Sequence, residues 1–72
     1  MIQHTFRLEG EYIELHNLLK LLALASSGGA AKALVAEGAV SVDGTVETRK
    51  TRKLRAGQGV RLGDDEIRIV VR

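Results

Sequence analysis

The chain has 72 residues and no cysteine, which excludes a disulfide scaffold or a thiolate zinc site and leaves one small domain whose core must come from aliphatic packing. Aromatic residues are reduced to Phe6 and Tyr12, and both are expected in the core. The formal net charge of +2 hides an asymmetry: Arg49, Lys50, Arg52, Lys53 and Arg55 are five cations within seven residues, and the remainder balances at −3, so a polyanionic partner would be steered to one face.

In chain order, Ile2, Phe6 and Leu8 fall on one side of an alternating segment with Gln3, Thr5 and Arg7 opposite, which predicts a first strand ending at Gly10. His4 shares the apolar side and is expected to be a partly buried packing residue. Met1 leads into Gln3, His4 and Arg7 rather than into a cationic start followed by an apolar run, so no secretory signal is expected and the cytoplasm is the expected location. A helix is predicted from about Tyr12 to Ala25. Leu15, Leu18, Leu19, Leu22 and Ala25 form its apolar stripe, Leu21 and Leu24 broaden that stripe, and Glu11 and Glu14 stand near the positive end of its dipole. Its apolar run, Leu18 to Ala25 broken by Lys20, is too short to span a bilayer.

Ser27 is the expected N-cap of a second helix, Gly28 to Glu37. Gly28 and Gly29 weaken its first turn. Either they let another backbone approach the free amides at a helix start, where phosphate oxygens bind, or they are a flexible joint between two helices. Ala30, Ala31, Ala33, Leu34 and Val35 offer a small-residue packing surface, Lys32 projects outward, and Gly38 stands where a left-handed C-terminal cap is expected.

Val40-Ser41-Val42, the turn Asp43-Gly44, and Val46 with Thr48 predict a hairpin with positive φ at its two central residues. The cationic arm of residues 49 to 55 follows directly. Gly57-Gln58-Gly59 is a predicted turn, Val60 to Leu62 a short strand, Gly63-Asp64-Asp65 a further turn, and Ile67, Ile69 and Val71 mark a closing strand. Strands at both ends of the chain can pair, which would close a small sheet over the helices. The expected fold is α+β: two packed helices followed by a small, mainly antiparallel sheet with a β-hairpin, in one domain over residues 1–72.

Catalytic chemistry has little to stand on. His4 and His16 are far apart and lack a nucleophile motif. Asp64, Asp65 and Glu66 are adjacent rather than spaced as hard-cation ligands are. Gly28-Gly29 has neither the Walker lysine nor the dinucleotide spacing. No enzyme, metal or cofactor is expected.

The order of elements, SSGGAAKALVAEG followed by AVSVDGTVE, resembles the S4-type RNA-binding domain with its alpha-L motif, over about Tyr12 to Ile69. ETRK after the turn is similar to the small stand-alone bacterial form, the YbcJ-like proteins. The resemblance implies a non-catalytic RNA-binding module. Two habitual RNA contacts of the family differ here: Glu14-Leu15-His16 stands at an Arg-Leu-Asp helix start, and Gly28 replaces the arginine after the inter-helix serine. Lys32 matches a basic position of the second helix. Backbone contact is then expected to shift toward the arm, giving Ser27, Gly28, Gly29, Lys32, Arg49, Lys50, Thr51, Arg52, Lys53 and Arg55 as candidate RNA-binding residues.

The expected partner is a structured RNA, whether ribosomal, transfer or small regulatory, met by a monomer that has no membrane role; the ribosome or an RNA-modifying enzyme in trans is the wider context. Neutralising roughly four phosphates would give log affinity a slope of about −3 to −4 against log salt. Base-specific reading is expected to be weak, because single-strand readers place aromatics on the binding surface. The rival classes are a protein-interaction adaptor that sets the basic patch against an acidic partner, and a DNA reader, for which the second helix offers few base-reading side chains.

Overall fold

A computed structural model describes all residues, 1–72. In chain order the elements are β1 (Ile2–Leu8), β2 (Ile13–Glu14), α1 (Leu15–Leu21), α2 (Gly28–Ala36), β3 (Val40–Val42), β4 (Thr45–Val46), β5 (Lys53–Leu54), β6 (Gly59–Leu62) and β7 (Asp65–Val71). Five strands form one sheet in the order β1-β7-β6-β3-β4, and β2 pairs with β5 in a separate two-stranded ladder. The terminal strands do pair, and they run parallel, with Ile2 opposite Asp65 and Leu8 opposite Val71. The other sheet pairings are antiparallel.

Alternation along the strands sends Val40, Val42, Val60, Ile67 and Ile69 to one face, where they join Leu15, Leu18 and Leu19 of α1 and Ala31 and Val35 of α2 in a single buried cluster. The opposite face carries Gln3, Thr5, Arg7, Arg61, Glu66 and Arg68. His4 is more than a packing residue: its Nε2 lies 2.9 Å from Asp65 Oδ1 and ties β1 to β7.

The first helix is shorter than its apolar periodicity predicts, at both ends. Residues 13–14 are extended because they pair with β5. At the other end Ala23 takes a positive φ of 58°, and the N–H groups of Ala23 and Leu24 donate to the carbonyls of Lys20 and Leu19 at 3.0 Å each. That is a Schellman closure built on alanine, where glycine is the usual residue. Leu21, expected in the stripe, is exposed. The second helix closes the same way on the expected residue: Gly38 has φ 81°, with Gly38 and Ala39 donating to Val35 and Leu34.

The hairpin forms at the predicted residues. Asp43 (φ 50°) and Gly44 (φ 85°) both adopt the left-handed conformation that a two-residue turn of this hand requires. Asp43 also accepts from Gly59 N–H at 2.8 Å and from Gln58 Nε2 at 3.3 Å, which fastens the hairpin to the turn before β6. The returning strand is only Thr45–Val46, shorter than expected, because the chain then turns inward at Glu47.

Candidate nucleic-acid interface

Glu47 is the one buried charged side chain, 7% exposed. Its own N–H donates to the Val40 carbonyl at 2.9 Å, and its carboxylate receives four donors. These are the Arg49 backbone N–H (3.0 Å), Arg49 Nε and Nη2 (3.1 Å each) and Arg52 Nη1 (2.7 Å). Charge-assisted bonds of this kind stabilise the ionised carboxylate. The Arg49 side chain first, then its backbone N–H, hold the Glu47 carboxyl down at about 2 from an ordinary 4.5, against the opposing effect of burial. Reciprocally, Glu47 holds the Arg49 guanidinium more firmly in its charged form.

The backbone of the arm closes the start of α1. An α-helix leaves its first N–H groups without intrahelical acceptors. Here Leu15 N–H donates to the Arg52 carbonyl (2.9 Å) and His16 N–H to the Lys50 carbonyl (3.1 Å), while His16 Nδ1 donates to the same Lys50 oxygen at 2.7 Å. Glu14, at the N-cap, makes no side-chain cap, because the arm supplies the acceptors. Leu54 of β5 is fully buried and anchors the far end of the arm.

Of the expected cationic residues, Arg49, Arg52 and Lys53, together with Thr51, line one open hollow that contains neither an acidic nor an apolar side chain. Lys50, Lys53 and Arg55 have no carboxylate partner, whereas Arg49 and Arg52 share Glu47. The five cations are therefore not all free: one acid, Glu47, stands among them in space, and the segment 47–55 carries +4. Arg49 nonetheless keeps 70% of its side chain exposed.

The four candidates on α2 form a separate group, outside that hollow. Ser27 caps the helix as expected, its Oγ accepting from Ala30 N–H at 3.1 Å. Gly28 and Gly29 are helical and neither has a positive φ. A Cβ at Gly28 would meet nothing within 4 Å, and one at Gly29 only Ser27 Oγ at 3.8 Å. Nothing in the fold itself demands glycine at either place. Lys32 is exposed and has no ion-pair partner.

The expectation that Tyr12 belongs to the core is overturned: it is 42% exposed. Lys53 Nζ lies 4.9 Å above its ring centroid, and Arg55 Nη1 donates to the Glu11 carbonyl beside it at 3.3 Å. Phe6 is partly buried against the core. Burial habits of tyrosine misled, since the pairing of β2 with β5 that turns this ring outward spans forty residues. Elsewhere, no group of three His, Cys, Asp or Glu is placed to hold a metal ion, and no helix is long and apolar enough to cross a membrane.

The two helices closed by left-handed caps, the Asp-Gly hairpin and the mixed sheet define an S4-type, alpha-L architecture. The S4 domain family matches residues 6–70, and the chain belongs to it. YbcJ of Escherichia coli (strain K12) is 48% identical over 59 residues, which cover 82% of this chain and 84% of that protein; the Shigella flexneri protein YbcJ matches to the same extent. The solution structure of YbcJ from E. coli, described as revealing an alfaL motif involved in RNA-binding, is similar at a TM-score of 0.67 and 41% identity, covering 99% of this chain and 89% of that one.

Proposed function

We propose that this chain is a non-catalytic module that docks on structured RNA, with the arm after the hairpin as its main phosphate-binding surface and the start of α2 as a second contact. The observation that carries the reading is the convergence of Arg49, Thr51, Arg52 and Lys53 on one acid-free hollow, flanked by Lys50 and Arg55. Cations held at fixed spacing neutralise successive phosphates and release counterions, and an arginine whose plane is already fixed loses little freedom on binding. RNA binding described for the similar YbcJ structure supports the assignment. Ser27, Gly28, Gly29 and Lys32 fit a second phosphate, because the two glycines leave the helix start open to an approaching backbone. Ribosomal, transfer and small RNAs all present the folded polyphosphate this surface suits.

The test must spare the residues that hold the arm together. Replacing Arg49 or Arg52 by glutamate would put a second carboxylate against Glu47 and unfold the arm, so loss of binding there would prove little. Lys50→Glu with Lys53→Gln removes two cations that make no ion pair, and the amide at residue 53 sets no second carboxylate opposite Glu14 across the β2–β5 ladder. The double variant is expected to lose at least tenfold in affinity for a structured RNA such as bulk transfer RNA, with an almost unchanged melting temperature. Retained affinity in a gel-shift or anisotropy titration removes the arm from the interface.

A further inference from the structure

Tyr12 is the chain's one tyrosine, and there is no tryptophan. It is the only aromatic side chain that the fold exposes at all strongly, and three separate contacts place it at the arm. Next to it in sequence, Ile13 pairs with Leu54. Before it, the Glu11 carbonyl accepts from Arg55 Nη1. Over its ring stands Lys53 Nζ, 4.9 Å from the centroid, and Lys53 also lines the cationic hollow. An aromatic ring pinned beside a phosphate-binding groove is the arrangement by which proteins hold unpaired nucleotides, with the base stacked on the ring and the backbone in the groove.

We infer that Tyr12 and Lys53 form a stacking subsite for one unpaired nucleobase at the edge of the structured RNA bound by the arm. The inference rests on the RNA-binding reading and adds to it a single-stranded element of the ligand. In the free protein the ammonium and the ring satisfy each other through an exposed and therefore weak cation–π contact. A nucleotide brings a better partner for each. Its base covers the ring, and its phosphate takes the ammonium, already at the lip of the groove. The ring offers a stacking face rather than a hydrogen-bonding edge, so the subsite accepts any base and prefers the larger purine surface.

Two probes separate this inference from the reading beneath it: a blunt RNA hairpin, and the same hairpin with a short unpaired adenosine tail. The tailed hairpin is expected to bind the native protein about five- to tenfold more tightly and to quench the Tyr12 fluorescence, which the blunt hairpin leaves nearly unchanged. Tyr12→Phe should keep the gain from the tail. Tyr12→Leu, at an exposed site, should lose it while binding the blunt hairpin as the native protein does. Equal affinity for the two hairpins, or a gain that survives in Tyr12→Leu, overturns the subsite and leaves the arm's role standing. Failure of both hairpins to bind overturns the two together.

Discussion

At the scale of single residues, Glu47 would act on an RNA docked at the arm, as proposed above, in two opposed ways. Its charge repels phosphate, and its four accepted hydrogen bonds set the direction of Arg49 and Arg52. Glu47→Gln separates the two. If charge alone mattered, removing an anion from the interface would tighten RNA binding. Gln keeps one acceptor oxygen and sets an amide N–H against the donors that the other oxygen took, so at least one arginine is freed, and fixing it again costs about 0.5–1.5 kcal/mol on binding. The expected outcome is weaker binding, by about threefold or more, in the same titration that measures the native protein. The pH dependence has a definite sign as well. A carboxyl lowered in the folded state from 4.5 to about 2 contributes stability that is fully present above pH 4.5 and is lost as pH falls toward 2. Thermal melts should therefore show native protein more stable than Glu47→Gln at neutral pH, with the gap closing over that window. Sequence gave no warning of this residue, since an acid beside five cations is ordinarily a solvated counter-charge. The spacing Glu47-x-Arg49-x-x-Arg52 was the available signal, and it has meaning only once the chain is known to turn inward there.

Among elements, what sequence reveals and what it hides divide by range. The hairpin was legible because Asp43-Gly44 encodes its turn locally, and so was the end of α2, because Gly38 is the residue a left-handed cap favours. The end of α1 was hidden because alanine does the same job at Ala23, against its local preference. Its start was hidden because the acceptors come from Lys50 and Arg52, far along the chain. The glycines that open α2 are a separate case. Neither needs positive φ nor close packing, so alanine fits both places. Gly28→Ala with Gly29→Ala should raise stability, by about 0.5–1 kcal/mol, since each glycine costs helix free energy. If the open helix start serves a phosphate, the same variant binds RNA more weakly. Calorimetry and an RNA titration on one sample check both halves, and a variant that is more stable and binds equally well takes Ser27, Gly28 and Gly29 out of the interface.

For the molecule as a whole, the distribution of charge discriminates between partner classes. The segment 47–55 carries +4 while the remainder of the chain carries −2, so the excess positive charge is concentrated on one surface. That arrangement favours a partner with a dense line of charge over one with a few scattered acids. The difference is measurable through salt. RNA holds condensed counterions and releases them when cations replace them, so about four neutralised phosphates give a slope near −3 to −4 for log affinity against log salt. A short acidic peptide condenses far fewer ions, and an adaptor docking on an acidic protein surface would show a much shallower dependence at equal charge. Lys50→Ala removes one cation that has no carboxylate partner and should flatten the RNA slope by about one while lowering affinity alike for RNAs of different sequence. A slope shallower than about −1 in the native protein, or one that Lys50→Ala leaves unaltered, would show that the arm meets something other than a phosphate backbone. A glutamate-rich peptide competing on equal terms with RNA would point to the adaptor instead.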